Sequence, residues 1–214
     1  MHIPEAFLET DSGKLAALVR ERSFGELVTV NEGQPYVSHL PFLFDPTESS
    51  QGVLYAHVSR SNPHWKQGES DALAIFHGPH HYISPTYYAQ EGTVPTWNYV
   101  AVHMRGTVEW LDQESARREV LQRLVAFHEG ERAAPWVGDF EAPFMIEEMR
   151  GVVPLRIVVR SIEGKWKLNQ HHPLEVQERT AQALRRLASE DAQAVAALME
   201  ENIAARRRAG GSRG

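Results

Sequence analysis

Glu26-Leu-Val-Thr-Val30 and Gln34-Pro-Tyr-Val-Ser-His-Leu-Pro-Phe-Leu-Phe44, separated only by Asn31-Glu-Gly33, read as the two strands of a hairpin. Gly33 supplies the positive φ that a tight hairpin turn needs, and the β-branched and aromatic residues suit a pleated, half-buried surface. The texture continues through Gly52-Val-Leu-Tyr-Ala-His-Val58, Ala72-Leu-Ala-Ile-Phe76 and Tyr99-Val-Ala-Val-His-Met-Arg-Gly-Thr-Val-Glu-Trp-Leu111. Closely spaced strands that each bury one face must close on one another, as a barrel or a sandwich. Helical spacing frames them: Leu15, Leu18 and Val19 follow the capping cluster Thr10-Asp-Ser12, and Val120, Leu121, Leu124 and Phe127 recur within 113–128. A further helix is expected over 142–149 and a last strand over 152–162. The predicted fold is mainly β with flanking helices (α+β): a domain over 1–173, one long C-terminal helix over 174–208 packing on it or on a dimer partner, and a tail over 209–214.

A chain of 214 residues, 42% of them apolar, has room for a sizeable core, and no run approaches the apolar length of about 20 residues that a spanning helix needs. The start, Met1-His-Ile-Pro-Glu-Ala-Phe-Leu-Glu-Thr-Asp11, carries no leader pattern, so a cytoplasmic location is expected. Without cysteine there are no disulfides, thiolate nucleophiles, iron–sulfur clusters or Cys-type zinc sites. Net charge is −6, and basic residues cluster only at Arg206-Arg-Arg208 and Arg213, which argues against a DNA-gripping face. Neither a Gly-x-Gly-x-x-Gly fingerprint, nor a P-loop, nor a Gly-x-Ser-x-Gly elbow is present. No catalytic acid or base stands out, and no metal site is expected, because Gly78-Pro79 spoils the helix that His77 and His81 would need to act as an i, i+4 ligand pair.

The segment His57-Val-Ser-Arg-Ser-Asn-Pro63 has the clearest chemistry. A strand that ends in Ser59-Arg60 and breaks at Asn62-Pro63 offers hydroxyls, a guanidinium fork and backbone N–H groups to a phosphate. On local chemistry alone the same residues better suit the cap of a turn beginning at Pro63. Between Pro79 and Tyr99 lies a ring-rich loop in which Tyr82, Ser84, Trp97 and Asn98 combine flat apolar contact with polar edges. That composition fits either a planar cofactor or a packed crossover at an interface.

Taken in order, these segments resemble the PaiB family of FMN-binding negative transcriptional regulators. The resemblance runs through Met1-His-Ile-Pro4, Phe7-x-Glu-Thr-Asp11, His39-Leu-Pro41, His57 to Pro63, Ala74-Ile-Phe-His-Gly-Pro79, Tyr82-Ile-Ser-Pro85, Val94-Pro-Thr-Trp-Asn-Tyr-Val-Ala-Val-His103 and Gly164-Lys-Trp-Lys-Leu-Asn-Gln170. It implies a split β-barrel related to pyridoxine-5′-phosphate oxidases, a homodimer, and FMN bound at the subunit interface. On this resemblance Ser59, Arg60 and Asn62 would hold the phosphate, and His39 and His57 would line the flavin from adjoining strands. Tyr82, Trp97 and Asn98 would shape the ring pocket, and Lys165, Lys167 and Gln170 would reach in from the partner chain. Two other activities stay open within this fold: a flavin-dependent oxidoreductase and a haem-binding barrel.

Overall fold

The computed structural model describes residues 1–211, with side chains to residue 208. Its eight strands are β1 (Leu8–Glu9), β2 (Phe24–Asn31), β3 (Gln34–Pro41), β4 (Leu43–Asp45), β5 (Val53–Ser59), β6 (Ser70–Ile83), β7 (Thr96–Trp110) and β8 (Val152–Lys167). They follow the order β3-β2-β6-β7-β8-β5-β4, with β1 paired to β8. The helices are α1 (Ser12–Glu21), α2 (Glu114–Glu129), α3 (Pro143–Arg150), α4 (Leu174–Arg185) and α5 (Glu190–Gly211). In the β2–β3 hairpin Asn31 pairs with Gln34, which leaves Glu32 and Gly33 as a two-residue turn. Both have positive φ, 51° and 77°, the pattern whose twist matches that of the flanking strands.

The chain divides into two compact units. One consists of Asp11–Phe76 and Val102–Ile162. Its core is Leu27, Phe42, Leu54, Phe76, Val102, Met104, Val108, Val153, Leu155 and Ile157, all fully buried. Each such side chain contributes about 1.5–3 kcal/mol relative to exposure. Phe42 and Phe76 meet edge to face, with ring centroids 5.4 Å apart. Asp11 caps α1 by accepting from the Lys14 amide at 3.1 Å, and Leu15, Leu18 and Val19 are its buried face, as their spacing predicts. Helix α2 buries Val120 and Leu124 against Val53 and Tyr55, with Leu43, Leu111 and Leu121 around them.

The other unit consists of Met1–Thr10, His77–Ala101 and the chain from Glu163 onward. Here four expectations change. Strand β6 runs on through Pro79 to Ile83, where a loop was expected. Its ladder with β2 is registered only from Ala72 to Ile75, so on that flank Pro79 has no β2 hydrogen bond to break. Strand β8 likewise continues to Lys167, because β1 pairs with it at Gly164 and Lys165.

The expected single helix over 174–208 is two helices. Ser189 begins α5 by accepting from the Ala192 amide at 3.3 Å, and Glu190 and Asp191 lie in the first turn, where the helix dipole favours acids. The Gln193 side chain closes α4 by donating to the carbonyls of Arg185 and Leu187 at 2.9 and 2.7 Å. Helix α5 extends to Gly211, so 209–211 are helical backbone rather than tail; residues 212–214 lie outside the described residues.

At Gly106 in β7 an added Cβ would stand 2.2 Å from the Val158 carbonyl oxygen. Gly106→Ala is therefore expected to destabilise the chain by about 1–3 kcal/mol, measured as a lowered denaturation midpoint.

Candidate functional site

Strand β5 ends at Ser59, and the chain turns through 59–62 into a short 3-10 helix, Pro63–Gln67. Asn62 caps that helix: its Oδ1 accepts from the His64 amide at 3.0 Å and from the Tyr36 hydroxyl at 3.1 Å. Its Nδ2 donates to Ser38 Oγ at 3.0 Å, which leaves one amide N–H of the side chain uncommitted. The hydroxyls of Ser59 and Ser61 stand 2.8 Å apart and exposed.

Arg60 is tied down at the surface by bonds within the chain. Its Nε donates to the Arg150 carbonyl at 2.6 Å, and its two Nη groups fork onto the Asp112 carboxylate. Asp112 also accepts from Arg117 Nη2 at 2.7 Å. The hydrogen bond from Arg60 above all, with that from Arg117, holds the Asp112 carboxyl down at about 2. Two guanidiniums share one carboxylate, so this triad carries one positive charge in excess. Bidentate phosphate binding by Arg60 thus requires Asp112 to give way.

Beneath the turn lies a residue that the sequence reading left without a role. His64 is fully buried, its Nδ1 2.9 Å from Ser38 Oγ and its Nε2 2.8 Å from Thr29 Oγ1. Tyr36 packs on its ring at 4.6 Å and Trp110 at 5.5 Å. Burial in this setting drives the imidazole pKa down to about 4. The one sequence signal is the pattern of the hairpin's inward face. Leu27 and Leu40 are followed toward the turn by Thr29 and Ser38, all four buried, and two buried hydroxyls demand a polar partner.

The two histidines assigned to the flavin stand differently. His39 on β3 is exposed, its Nδ1 3.8 Å from Glu26 Oε1. His57 on β5 is half-buried, with its Nδ1 lacking a hydrogen bond, and burial and then His128 push its pKa down. Their strands are not sheet neighbours: β3 is an edge strand paired with β2, and β5 lies between β8 and β4. The two strands nonetheless pack against each other, without a shared hydrogen-bond ladder.

In the other unit Trp97 meets Tyr82 edge to face at 5.9 Å and His80 at 6.3 Å, and both Trp97 and Tyr82 are exposed. Asn98 is fully buried; its Nδ2 contacts Met199 Sδ at 3.4 Å and its Oδ1 has no hydrogen-bond partner. Lys165 lies 5.2 Å over the Tyr99 ring and donates to the His2 carbonyl at 3.0 Å. Lys167 donates to the Trp97 carbonyl at 2.9 Å and to the Thr96 hydroxyl. Burial, then the neighbouring Lys165, lowers the Lys167 pKa. Gln170 is occupied with its own turn, accepting from the Leu168 amide at 2.7 Å and donating to the Trp166 carbonyl at 2.5 Å. It also lines a cavity of about 410 Å³ with Leu8, Trp166, Asn202 and Arg206.

This strand order with flanking helices defines a split-barrel fold. The chain belongs to the family described as "Putative FMN-binding domain", whose model matches residues 1–161. It is 34% identical over 206 residues to "Protease synthase and sporulation protein PAI 2" of Bacillus subtilis (strain 168), covering 95% of this chain and 98% of that relative. Among solved structures it resembles the FAD and heme binding protein from Mycobacterium smegmatis, with TM-score 0.57, 16% identity, and 75% of this chain and 73% of that one covered. It also resembles the flavocytochrome Anf3 from Azotobacter vinelandii, with TM-score 0.55, 16% identity and coverage of 77% and 72%. At that identity these two likenesses show the fold. Among the described residues no helix is long and apolar enough to cross a membrane.

The His64 pKa has a consequence for stability. The fold keeps the ring neutral down to about pH 4, whereas the unfolded chain binds its proton near 6.5. Stability attributable to His64 is therefore complete above pH 6.5, falls as pH drops toward 4, and is diminished by up to about 3 kcal/mol below that. His57, His171 and His172 are displaced in the same direction by burial. Chemical denaturation across this window should show a shallower pH dependence in His64→Asn than in wild type.

Proposed function

We propose that this protein binds FMN as a cytoplasmic homodimer of the PaiB type and acts as a negative regulator of transcription. The observation that carries the cofactor reading is the 59–62 turn: two exposed hydroxyls, on a rigidly capped turn, beside a guanidinium–carboxylate triad with surplus positive charge. These residues fit a phosphate, which asks for convergent donors and a cationic bias. The match of residues 1–161 to an FMN-binding family supports the same ligand.

Ser59 and Ser61 donate to phosphate oxygens in this reading, and Arg60 and Asn62 contribute their uncommitted N–H groups. Trp97 and Tyr82 offer apolar faces to the isoalloxazine, and the buried Asn98 amide and Lys165 and Lys167 set the polarity of the ring-binding segment. The family resemblance further implies His39 and His57 beside the flavin, and Lys165, Lys167 and Gln170 reaching in from a partner chain. Bound FMN supplies redox chemistry; the side chains described hold and orient it, and none is positioned as an acid or base of its own.

Regulation is proposed to run without a broad basic face. Net charge is −6, and two of the C-terminal arginines are engaged within the chain. Arg206 donates to the Gln170 carbonyl at 3.1 Å, and Arg207 pairs with Glu178 at 2.5 Å. The PaiB resemblance supports a role in gene expression, and the printed name of the Bacillus relative ties that protein to protease synthesis and sporulation.

Titration with FMN is expected to give a protein-bound flavin spectrum and, at a ligand concentration about 100 times Kd, a stabilisation of about 2.7 kcal/mol. Failure of both readouts overturns the cofactor reading. DNA titrated over a range of salt concentrations is expected to bind weakly or not at all, and a saturable complex with a steep salt slope would contradict regulation without a basic face.

A further inference from the structure

With Gln67 Oε1 facing Thr29 and the His64 ring neutral, the hydroxyls and amides here have one consistent arrangement of protons. Thr29 Oγ1 donates to Gln67 Oε1 at 2.7 Å, so its single proton is committed and it can only accept from the ring. The Nε2 facing it at 2.8 Å must then carry the imidazole proton. A neutral ring protonated at Nε2 has a bare Nδ1, so the Ser38 hydroxyl donates to it at 2.9 Å. Ser38 Oγ in turn accepts from Asn62 Nδ2 at 3.0 Å. A directed relay therefore runs from Asn62 through Ser38, His64 and Thr29 to Gln67, and it links the proposed anion-binding turn to both ends of the short helix that follows it.

We infer that His64, held as the neutral Nε2–H tautomer by Thr29 and Ser38, is the positioning residue of the 59–62 turn and through it sets the preference for a phosphorylated flavin over an unphosphorylated one. This rests on the reading that the turn binds the FMN phosphate. His64 does not touch the ligand; it fixes Asn62 by way of Ser38, and Asn62 fixes the backbone that presents Ser59 and Ser61. A second contact acts from the other side, since the His64 amide itself donates to Asn62 Oδ1 at 3.0 Å. The side chain is completely enclosed, and both of its nitrogens are already satisfied, so a role as ligand or acid–base group is excluded by geometry.

The test has two arms. In the first, long-range ¹H–¹⁵N correlation spectra of the wild-type protein at pH 7 should show the neutral Nε2–H pattern for His64; an Nδ1–H tautomer or an imidazolium would overturn the relay. In the second, FMN and riboflavin affinities are compared in wild type, Ser38→Ala, His64→Gln and His64→Asn. Asn keeps an acceptor where Nδ1 stands, whereas Gln keeps only the donor toward Thr29. Ser38→Ala and His64→Gln should weaken FMN by about tenfold while leaving riboflavin within about twofold, and His64→Asn should retain most of the preference.

A general structural defect would weaken both ligands equally and would not be rescued by Asn, and that result overturns the inference. So does a preference unchanged in Ser38→Ala and His64→Gln. Wild-type protein that binds the two flavins equally well instead rejects the phosphate reading of the turn, and with it the ligand half of the inference. Should the substituted proteins fail to fold, the tautomer arm still decides the relay on wild type.

Discussion

A fully buried imidazole bonded through both nitrogens is the constraint on which the rest of the site depends. Burying a histidine and two hydroxyls is unfavourable unless each finds a partner, and here Thr29, Ser38 and His64 satisfy one another. The β2–β3 hairpin is thereby tied to the short helix after β5, and the turn between Ser59 and Asn62 has little freedom left. Arg60 completes the fastening by joining the turn to Arg150 and Asp112. A loop held from both sides has its exposed hydroxyls already ordered, which would lower the entropic cost of the proposed phosphate binding.

The electrostatics reinforce that design. Asp112 neutralises one of two guanidiniums, so the cluster keeps a net positive bias. Exposed ion pairs contribute little stability by themselves. Their value here lies in geometry, because Arg117 and the Arg150 and Val152 carbonyls hold the fork in one orientation.

Much of the scaffold was legible in the sequence because its signals are local. Asn31-Glu-Gly33 announced a hairpin, Asp11 a helix start, and the 3.6-residue spacing of Val120 and Leu124 a packed face. What misled were features decided by partners distant in sequence. Pro79 reads as a strand breaker, yet it falls where the β2 ladder has ended. The α4–α5 break lacks Gly or Pro; Ser189-Glu-Asp was its only mark, and the Gln193 contacts that complete it exist only in three dimensions. In the candidate site the turn was found but its wiring was not. Asn62 could be read as a cap, whereas Asp112 on Arg60 and Thr29 on His64 are separated from their partners by 52 and 35 residues.

The central claim is that the turn at the end of β5 is the phosphate end of an FMN site. A crystal structure of the protein grown with FMN tests it most directly. The account predicts phosphate oxygens within hydrogen-bond distance of Ser59 and Ser61 Oγ, over a His64 relay unchanged from the one described. A flavin bound with its phosphate on other residues, or a ligand-saturated crystal with that turn vacant, would contradict it.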